Sequence, residues 1–209
     1  MKDPAKPKIL GALKIPGYSD YLQPYDENHL IGFGKDTVEL SSKGVNGTDT
    51  PAAFYQGMKI ALFDVTDVNH PKELYKESIG DRGTDSELLH YHKALLFDKE
   101  KNLLSFPVQV MQIDPNESSP QAGRFPQNGK FAFQGAYVYN LDLAKGFQLK
   151  GKITHITQEE LQKSGQQYFG DHHVLRIMYI GNTLYTVSLG TVKANDLSTL
   201  EDKNTLQIP

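Results

Sequence analysis

The sequence predicts an all-β fold assembled from a repeated four-stranded antiparallel unit. Strand–turn–strand segments recur at 21–34, 93–108 and 174–189. Each is followed by a second kind of segment, in which an apolar strand turns and returns as a more polar one. The composition agrees, because 18 Gly and 11 Pro supply turns while 11 Tyr and 10 Phe suit strands.

The first segment of each unit is a hairpin. "YLQPYDENHLIGFG", "KALLFDKEKNLLSFPV" and "VLRIMYIGNTLYTVSL" each place a polar turn rich in Asp, Asn or Gly between two strands of about five residues, the second opening on Leu30, Leu103 or Leu184. Asn, Asp and Gly tolerate the left-handed angles that tight hairpins require. The second segment is "KIALFDVTDVNHPKELYKESIG" in one unit and "GAYVYNLDLAKGFQLKGKITHI" in the next, with "TVKANDLSTLEDKNTLQIP" as a weaker third copy. Runs such as Ile60-Ala61-Leu62-Phe63 are apolar at successive positions, which marks a strand covered on both faces. Tandem four-stranded units with two apolar faces bury them against one another, and this is the logic of a β-propeller. An open β-sandwich of about a dozen strands is the competing architecture.

In order, the elements expected are a lone d strand at 6–15, matched to 70–79 through Pro7-Lys8 and Pro71-Lys72, then blade 1 at 18–80, blade 2 at 81–156 and blade 3 at 168–209. Residues 37–57 and 112–130, rich in Gly, Ser, Pro and Asn, read as exposed loops. One short helix is expected near 157–164, where Thr157 and Glu160 have capping-box spacing. The chain thus reads as a propeller fragment of about three blades plus an orphan strand, a piece of something longer. Three blades leave two open apolar flanks, so self-association through the terminal blades is expected.

The formal net charge of −3 supplies no basic field for nucleic acid. The absence of Cys excludes disulfides, thiolate nucleophiles and Cys-based zinc sites. No apolar run reaches the length of a signal peptide or a membrane span.

The stretches "IPGYSDYLQPYDENHLIGFGKD", "ALFDVTDVNHPKEL", "GDRGTDSELLHYHKALLFDKEKNLLSFPV" and "YIGNTLYTVS" resemble the bacterial family of secreted proteins with a C-terminal β-propeller distantly related to WD repeats. The likeness runs along essentially the whole chain in the same order. It implies a propeller larger than these 209 residues and an extracellular or cell-envelope location, and it brings no catalytic motif.

Several residues are candidates for chemistry. His90 and His92 flank Tyr91, and on a strand such alternate residues share a face and can meet one divalent metal. The competing reading is a polar lead-in to the strand. Asp171-His172-His173 precedes the first strand of blade 3 in the same way. If the blades superpose, His92, His172 and His173 lie near one end of the central channel. Asp64, Asn140 and Asp196 recur at the turn between the third and fourth strands, where a structural Asx-turn role is favoured over calcium binding. Arg82, with Asp85 and Glu87, suits ion pairing between blades or capture of a carboxylate. "GFGKD" lacks a following helix and no G-x-S-x-G is present, so neither a phosphate loop nor a serine nucleophile is indicated. Two functions follow. One is a non-catalytic binding or scaffold module for a protein or glycan ligand. The other is a metal-assisted hydrolase or lyase at the channel mouth. No cofactor beyond a divalent metal is expected.

Overall fold

The computed structural model describes residues 5–43, 49–114, 127–165, 167–168 and 170–209. Its strands form three four-stranded antiparallel sheets, each in chain order. Blade 1 comprises β1 (Tyr18–Pro24), β2 (His29–Lys43), β3 (Asp49–Asp64) and β4 (Lys72–Ile79). Blade 2 comprises β5 (Leu96–Asp98), β6 (Leu103–Gln112), β7 (Lys130–Asp142) and β8 (Gly146–Ile153). Blade 3 comprises β9 (Arg176–Ile180), β10 (Thr183–Val187), β11 (Thr191–Asp196) and β12 (Asp202–Gln207). This is the architecture of a propeller segment.

The hairpin turns use the chemistry their residues offer. Asn102 and Gly181 take the left-handed angle, with φ of 52° and 58°. Asp26 instead accepts the Asn28 N–H through its side chain at 2.9 Å.

Both faces of the middle blade are buried. Blade 1 presents Ile31, Phe33, Ile60 and Leu62 to Leu104, Phe106, Tyr137 and Tyr139 of blade 2. On the other side, Leu103, Val138 and Ile153 of blade 2 meet Ile177 and Leu184 of blade 3. At about 25 cal/mol per Å² of apolar area removed from water, it is this stacking that holds the blades together. Polar latches bridge both junctions. Tyr75 on β4 donates to the Ala144 carbonyl in the next blade's turn (2.9 Å), and Lys150 on β8 donates to the Leu197 carbonyl (2.5 Å). Tyr139 donates to Glu77 across the first junction (2.8 Å), and Tyr179 to Asp98 across the second (2.5 Å).

Four expectations change form. Leu30, Leu103 and Leu184 are not equivalent: Leu103 faces blade 3, whereas Leu184 faces back toward blade 2 and Leu30 lies on the side of its sheet opposite Ile31. The alternation of strand side chains gives Leu104, not Leu103, their place in blade 2. Residues 37–57 are not a loop for most of their length, because the β2–β3 ladder continues past a bulge at Lys35/Thr37 to the pair Lys43 and Asp49. Positions 44–48, and 115–126 of the second insert, lie outside the described residues. Residues 92–94 form a 3₁₀ turn, which shortens β5 to three residues. Residues 7–15 form no strand and pass over blade 1 instead. There the Pro16 carbonyl accepts from the buried Lys59 ammonium at 3.0 Å.

The predicted helix is α2, Gln158–Lys163, between blades 2 and 3. A shorter helix, α1 (Glu87–His90), lies in the link between blades 1 and 2. No helix among the described residues is long and apolar enough to cross a membrane.

Candidate functional site

The links leading into β5 and β9 share one end of the molecule, the mouth, and hold most of the predicted residues. Hydroxyl and backbone contacts from Thr84, Asp85 and Ser86 fasten the first link to β6. Thr84 Oγ1 accepts from the Met111 N–H (2.9 Å) and donates to its carbonyl (3.2 Å). Ser86 donates to the Pro107 carbonyl (2.5 Å) and caps α1 by accepting from the Leu88 N–H (3.2 Å). Asp85 pairs through its backbone with Gln109. These contacts wind residues 87–90 into a helical turn, so His90 and His92 do not share a strand face.

Ion pairs then bind the link to both neighbours. Lys35 of blade 1 reaches Asp85 Oδ1 at 2.7 Å, and His90 Nε2 lies 3.0 Å from Asp85 Oδ2. Burial alone would raise the Asp85 pKa, but the bonds from His90 and Lys35 outweigh it and hold the carboxyl below its ordinary value. Glu87 lies 3.3 Å from Arg176 at the start of β9. Arg82 takes other partners, donating to Asn128 (3.1 Å) and to the Tyr55 carbonyl (3.0 Å).

Two hollows open here. A cavity of about 180 Å³ lies between α1, β6 and the lead-in to β9, lined in part by Asp85, Glu87, His90, Gln134 and His173. The His173 ring is half-buried, its Nε2 is shielded from solvent without a hydrogen-bond partner, and burial pushes its pKa down. Gln134 spans the back of the cavity, donating to the Val174 carbonyl (3.0 Å) and accepting from the Val174 N–H (2.9 Å).

The larger hollow is an open cleft of about 1010 Å³ between α2 and blade 3, lined in part by Glu160, Lys163, Tyr168, Asp171, His172 and Gln207. Glu160 is its organising group. Burial would raise its pKa, but bonds from the Thr157 backbone and hydroxyl, Tyr168 and His172 prevail and hold it at about 2. Tyr168 donates to Glu160 Oε1 at 2.9 Å, and His172 Nδ1 lies 2.7 Å from the same oxygen. Burial and the carboxylate raise the Tyr168 pKa to about 12. With Nδ1 committed to Glu160, His172 keeps Nε2 for the cleft beside Gly190, where an added Cβ would sit 3.4 Å away.

The histidines therefore divide. His90 and His173 line the small cavity and His172, with Asp171, lines the cleft. His92 reaches neither, stacking instead on Tyr21 with ring centroids 5.9 Å apart. Among the described residues no group of three or more His, Asp and Glu is arranged to hold a metal ion. Of the turn residues, Asp64 accepts from the Thr66 N–H (2.8 Å) and Asp196 from the Ser198 N–H (2.8 Å), both Asx turns. In blade 2 that bond belongs to Asp142, which accepts from the Ala144 N–H at 2.8 Å, while Asn140 sits exposed within β7.

His155 was not singled out in the sequence. Its ring is buried between Ser188 (Nδ1, 2.9 Å) and Thr186 (Nε2, 2.8 Å), and burial, with smaller contributions from Lys193 and His172, pulls its pKa to about 4.

A family model described as "Beta propeller domain" matches residues 1–200. An uncharacterized protein of Methanocaldococcus jannaschii is 29% identical over 196 residues, covering 94% of this chain and 22% of the relative. An uncharacterized protein of Archaeoglobus fulgidus is 32% identical over 107 residues, covering 51% of this chain and 14% of the relative. The chain thus spans less than a quarter of the length of these curated relatives, both of which are archaeal. No solved structure is a significant match.

Proposed function

Since the chain belongs to the beta propeller domain family, we propose that it is a non-catalytic binding and scaffold module that takes a protein or glycan ligand at the mouth. The cleft between α2 and blade 3 carries this reading. Glu160, Tyr168 and His172 satisfy one another there, so the walls are set before a ligand arrives and little ordering is left for binding to pay for. Lys163, Asp171 and Gln207 add donors and acceptors of both signs around it. The likeness of the quoted segments to exported, WD-repeat-like bacterial propellers supports a place outside the cytoplasm.

The test is a glycan array and a phage-displayed peptide library probed with the purified chain. Binders lost on His172→Ala and Lys163→Glu, with the fold retained by circular dichroism, support the cleft; binders indifferent to both substitutions remove it.

A second reading, metal-assisted hydrolysis or lyase chemistry, draws on His90 and His173 lining one cavity. Metal content after dialysis against zinc, manganese or calcium separates the two. One retained equivalent that disappears in both His90→Ala and His173→Ala makes the enzyme reading the better one.

A further inference from the structure

We infer that the mouth carries a second binding site, a receptor for an organic ammonium group formed by Tyr18, Tyr55 and Asp20. It lies where blade 1 faces the link to blade 2. None of its three residues lines the cleft beside α2, so it stands whether or not that cleft takes a ligand.

Two β-bulges build it. On β1 the pairing steps from Ser19 with Gly34 to Tyr21 with Phe33, leaving Asp20 without a partner strand residue. On β2 it steps from Lys35 with Met58 to Thr37 with Tyr55. A bulge re-aims the side chains beside it. Tyr18 is the register partner of Lys35, whose ammonium reaches Asp85 in the link, so both stand on the side of the sheet that faces blade 2. The Tyr55 ring joins them there, meeting Tyr18 edge to face with centroids 5.5 Å apart and planes at 67°. Tyr18 is 40% exposed and Tyr55 56%, so the corner between the rings opens to solvent.

Asp20 supplies the charge. Its carboxylate takes no hydrogen bond or ion pair from the described residues. The positive groups facing it, Lys35 and His90, are already paired with Asp85. Arg82, near Tyr55, is spent on Asn128 and the Tyr55 carbonyl. Partial burial pushes the Asp20 pKa up against the pull of Lys35 and His90, and Asp85 adds to the rise. Such a carboxylate is short of positive charge, and an incoming cation makes up the deficit.

The chain's other tyrosines show what belongs in the corner. Lys99 lies over the Tyr25 ring, 4.9 Å from its centroid, and pairs with Asp26 at 3.1 Å. Lys152 lies over Tyr137 at 4.4 Å and Lys101 over Tyr179 at 5.5 Å. Among the described residues no lysine or arginine lies over Tyr18 or Tyr55. Ring and carboxylate are thus set as they are around Lys99, with the ammonium left to come from outside. A cation within about 6 Å of a ring face gains from the negative π-cloud, and quaternary ammonium groups are recognised in this way.

Isothermal titration calorimetry of the purified chain tests the site with choline and with 3,3-dimethylbutanol, which has the same shape without the charge. Choline should saturate one site and the alcohol should give no binding. Asp20→Asn and Tyr55→Leu should each weaken choline by about tenfold, while Tyr55→Phe, which keeps the ring, should bind as the wild type does. All three are surface substitutions, and circular dichroism checks each fold. His172→Ala, in the cleft, should leave choline binding unchanged, which separates the two sites. A peptide carrying one trimethyllysine distinguishes the sources: tighter binding than choline, lost in the same two variants, assigns the site to a partner's side chain, and equal binding assigns it to a free small molecule. Equal heats for choline and the alcohol, no saturation at millimolar choline, or choline binding indifferent to both Asp20→Asn and Tyr55→Leu would each overturn the receptor.

Discussion

His155 is enclosed by two hydroxyl groups and titrates against its burial. An imidazole whose folded pKa is depressed, here to about 4 from 6.5, is held neutral in the native state. The unfolded chain then binds the extra proton as pH falls between those values, so this contribution is complete above about 6.5 and is lost on the way down to about 4, a span worth roughly 3 kcal/mol. Urea unfolding between pH 7 and 4 should show a falling midpoint, and His155→Gln should flatten that dependence; an unchanged slope would mean the ring is not titrating from its buried position. The turn residues give a second prediction. Asp142→Ala removes acceptors for the Ala144 and Lys145 N–H groups and lowers the urea midpoint, while Asn140→Ala leaves it unmoved. Asp64 and Asp196 were legible in the sequence because an Asx turn is a contact between residues two apart. In blade 2 residue type points to Asn140, but β7 runs two residues further, to Asp142, before the turn begins. His155 was not legible at all: its partners lie 31 and 33 residues away, on the next blade.

At the scale of elements, α2 was readable because a capping box is written in four consecutive residues. Both halves are present: Thr157 Oγ1 accepts from the Glu160 N–H at 3.2 Å, and Glu160 accepts from the Thr157 N–H at 2.9 Å. Thr157→Ala should cost about 1 kcal/mol of local helix stability. Hydrogen exchange should therefore quicken across 158–163 while β6 and β7 keep their protection. Because Glu160 also holds His172 and Tyr168, the same bonds weaken in acid. Its folded pKa is lowered, so its contribution is present above the ordinary 4.5 and disappears as pH falls toward about 2. The β2–β3 extension shows the opposite case. Its Gly, Ser and Thr residues have the composition of a loop, yet a ladder is made by backbone N–H and C=O groups and can continue through such residues once register is set by the apolar pairs nearer the core, as Leu30 with Phe63 and Ile31 with Leu62. The faces of Leu30 and Leu103 were misaligned for a related reason: repeat matching by residue type ignores a one-residue shift, and one residue reverses the face of a strand.

For the whole molecule, the blade count and order were visible because each blade repeats the same alternation of strand and turn, whereas the mouth is assembled from two links remote in sequence. Blade 2 is sandwiched between its neighbours, so a cavity on either of its faces should be felt throughout. Phe106→Ala, at a fully buried ring between Phe33 and Tyr139, should cost about 3–5 kcal/mol and shift one cooperative urea transition. Separate transitions for the blades would show that they fold independently. The outer strands β4, β8 and β12 carry Lys72, Lys76, Lys150, Lys152 and Lys203, charges that discourage edge-to-edge pairing along the rim. At the junction of blades 2 and 3, Gln134 meets both the N–H and the C=O of Val174, as a neighbouring strand would. A carboxylate there would only accept and an ammonium only donate, so the position admits almost no alphabet beyond a carboxamide of that reach. Evolutionary drift should be nearly frozen at this one glutamine, even while the residues around it wander.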